Sequence, residues 1–291
     1  MPPGLRVLRA APQLLVQDLG RPGWAHIGVP PSGALDPGAL ALANRLVGNS
    51  EAAAGLEILL GGCRLLAGRS LRVALTGAQL PLSVGAVPRP WGTAVSVRPG
   101  QYIEVGTSAT GLRSWLAVGG GLDVPRTLGS RSTDTLTGLG PAPVREGDLL
   151  PVGGVRSGPG HGEAVPAVHA TGATRLSVRL GPRDDAFTDE SVDALLKAPY
   201  AVSARSDRVG VRLEALDGSR LLRRGGEEME SEGLVTGAVQ VPSGGQPLVF
   251  LADHPVTGGY PVVAVVDDAD LGRCAQLRPG DQVRFVRATQ G

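Results

Sequence analysis

The sequence predicts a mostly β protein with a few short helices, because turn residues are abundant and turn–strand segments recur. Gly 44 and Pro 24 among 291 residues are roughly double the usual share of these two residues. Many short strands joined by tight turns need this composition. The segments 98–105, 145–152 and 278–286 each place a Gly turn before alternating apolar positions, which indicates a strand.

Each half of the chain also predicts one helix. In the first half, Asp36 stands where a helix cap is expected, Pro37 at the first helical position and Gly48 at the end. In the second half, the segment 188–197 begins with Thr188 and has acidic residues in its first turn. The prediction is therefore two β-rich domains with one helix each.

The domain boundary is predicted from a change in composition. Residues 153–173 are dominated by Gly, Pro and Ala without periodicity, and 174–181 then alternates as a strand does. Such a segment is typical of an inter-domain linker. We therefore expect an N-terminal domain over 1–155, a linker over 156–173 and a C-terminal domain over 174–291.

Composition and charge narrow the function classes. The net charge of +1 is spread along the chain, so neither nucleic acid nor a membrane surface is an expected partner. No run of about 20 apolar residues is present, and we expect a cytoplasmic protein. Lys197 is the only lysine, so the chain has no Gly-Lys-Ser/Thr phosphate loop and no Met-Lys-Met site for covalent biotin. Cys63 and Cys274 lack zinc-type spacing and are expected to be buried thiols.

The first domain offers two candidate polar sites. The loop 129–134 combines backbone N–H groups, three hydroxyls and Arg131, which suits an anion. A hydroxyl-rich turn that satisfies its own groups is the alternative. Near the start of the chain, Gln17, Asp18 and Arg21 form a polar turn, which fits either an internal pair or a ligand contact. Asp36 is either a helix cap or a carboxylate that orients a substrate.

The second domain offers two more. Asp207 and Arg208 lie between two predicted strands, either as solvated turn residues or as a water-orienting carboxylate beside a bidentate anion clamp. The segment 257–260 places two glycines between a hydroxyl and a phenol, either as a structural turn or as part of a pocket. His26 and His254 are isolated and are interpreted as structural histidines rather than metal ligands.

Beyond these local patterns, a series of motifs resembles one protein family along almost the whole chain, from near residue 13 to near residue 286. The family comprises the C-type subunits of 5-oxoprolinase and the allophanate hydrolase subunit 2-like proteins. It is also described as biotin-dependent carboxyltransferase-like and related to urea amidolyase. The matching runs, in order, are VQDLGRPG, SGALD, LANRLVGN, LEILLGG, ALTGA, AVGGGLDVP, LGSRSTD, SDRVGVRL, SEGLVTGAVQVPSGGQP, TGGYP and AQLRPGD.

The resemblance implies two cyclophilin-like β-barrel domains and a heteromeric complex. In such a complex a B-type subunit of related fold and an A-type subunit join this chain to open the lactam of 5-oxo-L-proline to L-glutamate with ATP. ATP is expected at a shared site or on a partner, and the chain alone is expected to be inactive. No metal is assigned.

The site residues predicted with this resemblance fall in both domains. Asp207 is expected to orient water, Arg208 to clamp an oxyanion or phosphate, and Tyr260 to donate a hydrogen bond. The residues predicted to bind substrate or an anion are Asp36, Arg45, Asn49, Ser130, Arg131, Ser132, Thr133, Thr257, Gly258 and Gly259.

Two departures from the family pattern bear on these assignments. Where the family has Asp-Arg-Gln-Thr before Thr-Gly-Gly-Tyr-Pro, this chain has Asp253, His254, Pro255 and Val256. The segment GLGPAPVREGD also lacks the usual Gly-Arg pair. A shifted substrate preference would follow.

Two other functions remain open at this stage. The chain is either a carboxyltransferase that receives carboxybiotin from a separate carrier, or a non-catalytic regulator that antagonises a kinase inhibitor. Sequence patterns do not separate these from the lactam-opening enzyme.

Overall fold

The computed structural model describes residues 4–107, 110–154, 172–225 and 229–288, and the predicted mostly β fold is confirmed. The chain divides into two compact units. The predicted linker 156–173 lies almost wholly outside the described residues, and the predicted domain limits stay a prediction. The first unit comprises Met1–Arg21, Ser32–Asp134 and Gly138–Val168, and the second comprises Pro22–Pro31, Thr135–Thr137 and His169–Gly291.

The first unit consists of two antiparallel sheets and one helix. Its elements are β1 (Gly4–Arg9), β2 (Gln13–Gln17), α1 (Pro37–Val47), β3 (Gly55–Leu59), β4 (Gly61–Ala67), β5 (Leu71–Gly77), β6 (Leu82–Val84), β7 (Val87–Arg89), β8 (Val95–Val97), β9 (Tyr102–Thr107), β10 (Arg113–Val118) and β11 (Leu149–Pro151). One sheet has the order β11-β1-β4-β9-β6-β7 and the other β2-β3-β10-β5-β8.

Side-chain alternation explains how these sheets enclose a core. Along β4, Cys63, Leu65 and Ala67 are fully buried while their neighbours are half-buried, the period-2 pattern of a strand with one apolar face. The central strand β10 is buried along its whole length and carries Trp115. Helix α1 packs on β5 and β10 through a cluster of apolar residues that includes Ala43, Ala74 and Ala117. The helix ends at Gly48 (φ 80°), and Asn49 follows it.

The second unit is a closed seven-stranded barrel with the order β12-β19-β16-β17-β14-β13-β20, plus a separate ribbon of β15 and β18. The parallel pairing of β12 with β20 closes the barrel. Its elements are β12 (Thr174–Leu180), α2 (Asp189–Lys197), β13 (Tyr200–Val202), β14 (Gly210–Ala215), β15 (Glu232–Gly233), β16 (Ala238–Gln240), β17 (Leu248–Phe250), β18 (Thr257–Gly258), β19 (Val262–Val266), α3 (Asp268–Cys274) and β20 (Gln282–Arg287).

Both predicted helices form with the predicted caps. Asp36 accepts a hydrogen bond from the Ala39 backbone N–H at 2.9 Å, and Thr188 accepts one from that of Ser191 at 3.2 Å. The prediction of a single helix per domain is wrong for the second unit, which also contains α3. That seven-residue helix includes Gly272, a weak helix former, so its local signal is poor.

Cys63 and Cys274 are buried free thiols, as predicted. Burial raises the pKa of each to about 12, so neither is a reactive thiolate near neutral pH. None of the helices within the described ranges is both long and apolar enough to span a bilayer.

Candidate functional sites in the two units

In the first unit, the carboxylate of Asp18 lies inside the hydroxyl-rich loop that was predicted to bind an anion. The hydroxyls of Ser130 and Ser132 donate to its Oδ1 at 2.5 and 2.6 Å. The backbone N–H of Arg131 donates to Oδ2 at 2.7 Å. Ser130 and Ser132 are fully buried. These donors are therefore satisfied by a carboxylate of the protein from outside the loop, which differs from the self-satisfied turn that was the alternative to an anion site.

Two other residues of this loop, Arg131 and Thr133, also make hydrogen bonds or ion pairs. Arg131 forms an ion pair with Asp123 and donates from Nε to the carbonyl oxygen of Val124 at 2.8 Å. The carbonyl oxygen of Thr133 accepts from Gln17 Nε2 at 2.8 Å. These contacts fix the loop against β2.

Arg21 secures the same loop from the other side. It is 2% exposed, and it donates from Nε to the carbonyl oxygen of Thr127 at 3.3 Å and from Nη2 to that of Ser132. Gly140 (φ 86°) passes so close that a Cβ there would overlap the Ser132 carbonyl oxygen. The loop is thus held by carbonyl contacts as well as by Asp18.

The remaining predicted residues of the first unit have structural partners. Asp36 caps α1, and burial, with Glu57 adding to it, raises its pKa despite hydrogen bonds from the cap. Arg45 pairs with Glu51 at 2.9 Å on the surface. Asn49 donates to the Val118 carbonyl oxygen and accepts from the Gly120 N–H, both at 2.8 Å, which ties the end of α1 to β10.

In the second unit, Arg208 and Asp253 form a buried bidentate ion pair. Arg208 Nε lies 2.9 Å from Asp253 Oδ2, and Nη2 lies 3.1 Å from Oδ1. Both side chains have 0% exposure. The N–H and hydroxyl of Thr135 also donate to Oδ2, at 2.9 and 2.7 Å. The fork that was predicted to clamp a substrate anion is therefore aimed at Asp253, and this geometry favours a structural role for Arg208.

The ion pair also decides the protonation state of Asp253. Burial acts to raise its pKa, but the Arg208 charge and the hydrogen bonds from Arg208 and Thr135 outweigh burial, so its pKa lies below the ordinary value. Asp253 is thus ionised at neutral pH and neutralises Arg208.

Asp207 lies on the surface as a turn residue. Its Oδ1 accepts from the backbone N–H groups of Val209 at 2.8 Å and Gly210 at 3.1 Å. This arrangement starts β14 and is typical of an Asx turn. The predicted role in orienting water stays a prediction.

The segment from Thr257 to Tyr260 forms a ribbon and an exposed edge. Thr257 and Gly258 pair with Gly233 and Glu232. Tyr260 is 42% exposed, and its carbonyl oxygen accepts from Gln240 Nε2 at 2.6 Å. This segment therefore presents an accessible phenol at the edge of the second unit.

Two neighbouring residues explain the local geometry around Tyr260. A Cβ at Gly258 would lie 2.8 Å from Gln240 Nε2, so a larger residue there would require the Gln240 side chain to shift. The Arg223 guanidinium carbon lies 5.8 Å from the centre of the Tyr260 ring, within cation–π range. Among the described residues no carboxylate forms an ion pair with Arg223. Tyr260 and Arg223 therefore lie side by side at this edge.

Sequence reasoning missed the partners that define both buried clusters. Asp18 was recognised only as part of a polar turn, and Asp253, Thr135 and Gln240 were given no role. A lone carboxylate beside a Gly-rich segment was a usable signal for Asp253, because a buried Arg needs a counter-charge. The pairings join residues that are far apart in the chain, 45 positions for Arg208 and Asp253 and 118 for Thr135 and Asp253, and local patterns do not contain them.

The described residues contain no group of three or more His, Cys, Asp and Glu side chains arranged to hold a metal ion.

The closed barrel and the two antiparallel sheets match two solved structures over almost the whole chain. The structure of TTHA0988 superposes with a TM-score of 0.87 and 38% identity over 98% of this chain and 55% of that chain. The structure of the K. lactis urea amidolyase superposes with a TM-score of 0.92 and 28% identity over 99% of this chain and 19% of that one. This chain therefore spans about half of the first protein and a fifth of the second.

Sequence comparison matches the chain to a 5-oxoprolinase C subunit and again to a urea amidolyase. The C subunit of the Escherichia coli 5-oxoprolinase is 38% identical over 98% of this chain and 91% of its own length. The Lachancea kluyveri urea amidolyase is 32% identical over 93% of this chain and 16% of its own length. Residues 27–287 match the family described as carboxyltransferase domain, subdomain A and B. The chain belongs to this family, and the resemblance predicted from its motifs is confirmed.

Proposed function

We propose that this chain is the C subunit of an ATP-dependent 5-oxoprolinase complex, which opens the lactam of 5-oxo-L-proline to L-glutamate. The observation that carries the proposal is the similarity to the C subunit of the E. coli 5-oxoprolinase, which extends over nearly the full length of both chains. Similarity to the urea amidolyases covers only a small part of those longer proteins.

The chemistry explains why such a complex consumes ATP. A five-membered lactam is a poor electrophile, and its opening needs an energy source. In the proposed sequence the amide oxygen attacks the γ-phosphorus and ADP leaves. Water then adds to the carbonyl carbon, the C–N bond breaks and the nitrogen takes up a proton. A second water releases phosphate from the acyl phosphate, which leaves glutamate.

Within the second unit, we assign the binding role to the edge around Tyr260. Its exposed phenol is a hydrogen-bond donor for the lactam carbonyl or carboxylate, and the neighbouring Arg223 supplies positive charge. The buried pair of Arg208 and Asp253 acts as a positioning element for the loop that follows Asp253. This revises the predicted clamp role of Arg208.

We place ATP on a partner subunit or at a shared site. The loop 129–134 suited a phosphate by composition, but hydroxyl and N–H donors of this loop bind Asp18. A second anion there would compete with a buried carboxylate. An A-type and a B-type subunit would then complete the enzyme.

Reconstitution tests the proposal. The chain is co-expressed with the A-type and B-type subunits encoded by neighbouring genes. Phosphate and glutamate are then measured with and without 5-oxoproline. The expected result is phosphate release that depends on lactam and on all three chains, with one glutamate formed for each phosphate released. Lactam-independent or absent turnover by the complete complex would contradict the proposal.

A matched pair of tyrosines tests the assigned edge. Tyr260→Phe removes one hydroxyl and should lower lactam-dependent phosphate release by about ten-fold or more, the cost of a lost hydrogen bond to a charged group. Tyr102→Phe is the control, because Tyr102 is 39% exposed and also lies under a guanidinium, that of Arg64. Equal activity of the two variants would remove Tyr260 from the site.

A biotin-dependent carboxyltransferase is the second candidate, and the urea amidolyase similarity favours it. In that case the complex would consume carboxybiotin delivered by a separate carrier protein. Supplying a carboxylated biotin carrier with urea or another small amide, and measuring decarboxylation of the carrier, separates the two candidates.

A further inference from the structure

The guanidinium beside Tyr260 has a different kind of partner from that of the next arginine in the chain. Arg223 is half-buried, and its guanidinium carbon lies 5.8 Å from the centre of the Tyr260 ring. Arg224 instead forms an ion pair with Asp189 at 2.7 Å. Within the described part of the chain, the Arg223 guanidinium thus contacts an aromatic ring rather than a carboxylate.

The backbone that carries this guanidinium is held by hydrogen bonds to the segment that starts α2. The N–H of Leu222 donates to the Ser191 hydroxyl at 2.7 Å, and the Leu222 carbonyl oxygen accepts from the Thr188 N–H at 3.2 Å. The N–H of Arg224 donates to the Ala186 carbonyl oxygen at 2.8 Å. Because the backbone between Leu222 and Arg224 is already ordered, a ligand that binds there does not have to order it.

The backbone that carries the phenol is anchored as well. The carbonyl oxygen of Tyr260 accepts a hydrogen bond from Gln240 Nε2 at 2.6 Å. The two residues Thr257 and Gly258, just before it, belong to the ribbon of β15 and β18. The side chain itself is accessible, since Tyr260 is 42% exposed. An accessible phenol therefore lies beside a guanidinium, each on a hydrogen-bonded backbone.

The chemistry of these two groups matches a carboxylate. A guanidinium presents parallel N–H donors that fit the two oxygens of a carboxylate, and a phenol adds one O–H donor. One positive charge also balances the single negative charge of a carboxylate. A phosphate group carries up to about two charges and would draw on a second cation, but the adjacent Arg224 is paired with Asp189. The edge is therefore better matched to a carboxylate.

We propose that Arg223 is a specificity-determining residue that selects a carboxylate-bearing substrate over uncharged amides. The inference rests on the binding role that the proposed function gives to the edge around Tyr260. 5-Oxo-L-proline carries a carboxylate beside its lactam, whereas 2-pyrrolidinone has the same ring without one. Urea, the small amide of the second candidate function, is also uncharged and gains nothing from Arg223.

Binding is tested on the full chain alone by NMR with nitrogen-15-labelled arginine. The Nε–H signal of Arg223 is assigned by its loss in Arg223→Gln. 5-Oxo-L-proline should shift this signal, and equal concentrations of 2-pyrrolidinone, urea or sodium chloride should have much smaller effects. An unshifted signal, an equal shift with 2-pyrrolidinone or chloride, or a larger shift with inorganic phosphate would overturn the proposal.

Selectivity is tested in the reconstituted complex. Arg223→Gln should raise the KM for 5-oxo-L-proline by about ten-fold or more and leave kcat nearly unchanged, because the carboxylate takes no part in the bond changes. Arg223→Lys keeps the charge and should restore part of the loss. Arg224→Gln is the matched control, because the adjacent Arg224 pairs with Asp189, and it should leave KM unchanged.

The outcomes separate this inference from the proposed function. An active wild-type complex whose KM does not change in Arg223→Gln overturns the proposal, as does an equal rise of KM in Arg224→Gln. A wild-type complex that does not turn over the lactam contradicts the lactam function instead, and the NMR titration then decides on Arg223.

Discussion

The two units each bury a carboxylate at a loop that was predicted to bind an anion, but they neutralise it differently. In the first unit, Asp18 receives hydrogen bonds from two hydroxyls and from backbone N–H groups. In the second, Asp253 receives the two-pronged guanidinium of Arg208 and both donors of Thr135.

This difference determines what each cluster loses when its carboxylate is removed. Loss of Asp18 leaves uncharged donors without an acceptor, and hydroxyls can rotate toward other partners. Loss of Asp253 removes a bidentate, charged contact from a fully buried guanidinium, and such a contact contributes more than hydrogen bonds from uncharged donors. In both clusters, donor groups that could bind an external anion already bind one of the protein's own carboxylates.

The largest expected effect is that of Asp253→Ala. It should lower the free energy of unfolding by about 3–5 kcal/mol, because Arg208 loses this bidentate counter-charge in a buried site. Urea unfolding at neutral pH measures the loss, and Asp207→Asn, which keeps the exposed turn acceptor, should change little. A loss equal to that of Asp207→Asn would show that Arg208 has another counter-charge.

The effect of Asp253 should also depend on pH. Its pKa is lowered in the folded state, so its stabilisation is fully present above the unfolded Asp pKa of about 3.9. It is lost as the pH falls through the folded value. The difference between wild type and Asp253→Ala in urea unfolding should therefore shrink in acid. A difference that grows on acidification would contradict the ion-pair account.

Asp18→Ala should cost less, about 3 kcal/mol, because four uncharged donors lose their acceptor at somewhat under about 1 kcal/mol each. Added formate should restore part of that stability in the variant and none in wild type, since it replaces the missing carboxylate. Thermal unfolding with formate and with chloride at equal ionic strength measures this. Equal effects of the two anions would show that the loop does not form an anion site when Asp18 is absent.

The contact that closes the Asp18 loop gives a smaller effect. Gly140→Ala should cost about 1–3 kcal/mol more than Gly138→Ala. Both positions have positive φ, but only the Cβ at Gly140 meets a neighbour, the Ser132 carbonyl oxygen. Urea unfolding of the two variants separates the effect of the Cβ contact from that of the backbone strain. Equal losses of unfolding free energy would mean that the loop moves to relieve the contact without a cost.

The smallest effect concerns the cap of α1. Burial raises the pKa of Asp36, so its ionised form is disfavoured in the folded state and its contribution worsens as the pH rises through the folded value. Asp36→Asn keeps a capping oxygen and should be as stable as wild type near pH 7, whereas Asp36→Ala should lose about 1 kcal/mol. A clear loss in Asp36→Asn would mean that the negative charge itself stabilises the helix.

Local sequence determined the parts of this fold that depend on neighbours in the chain. Asp36 with Pro37 and Gly48 specified α1, and Thr188 specified the start of α2, because caps act within one helical turn. The Gly turns before β9, β11 and β20 were recognisable for the same reason. The ordered motifs also identified the family, since eleven short runs in one order exceed what any single run conveys.

Only the tertiary structure decided what the polar residues do. Arg208 and Ser130 have the composition of an anion site in the sequence, but their partners, Asp253 and Asp18, are 45 and 112 positions away. Hydrogen bonds and ion pairs act over a few ångströms in space, and chain separation does not constrain them. The same loops therefore suited either an external anion or an internal carboxylate until folding brought the internal one into reach.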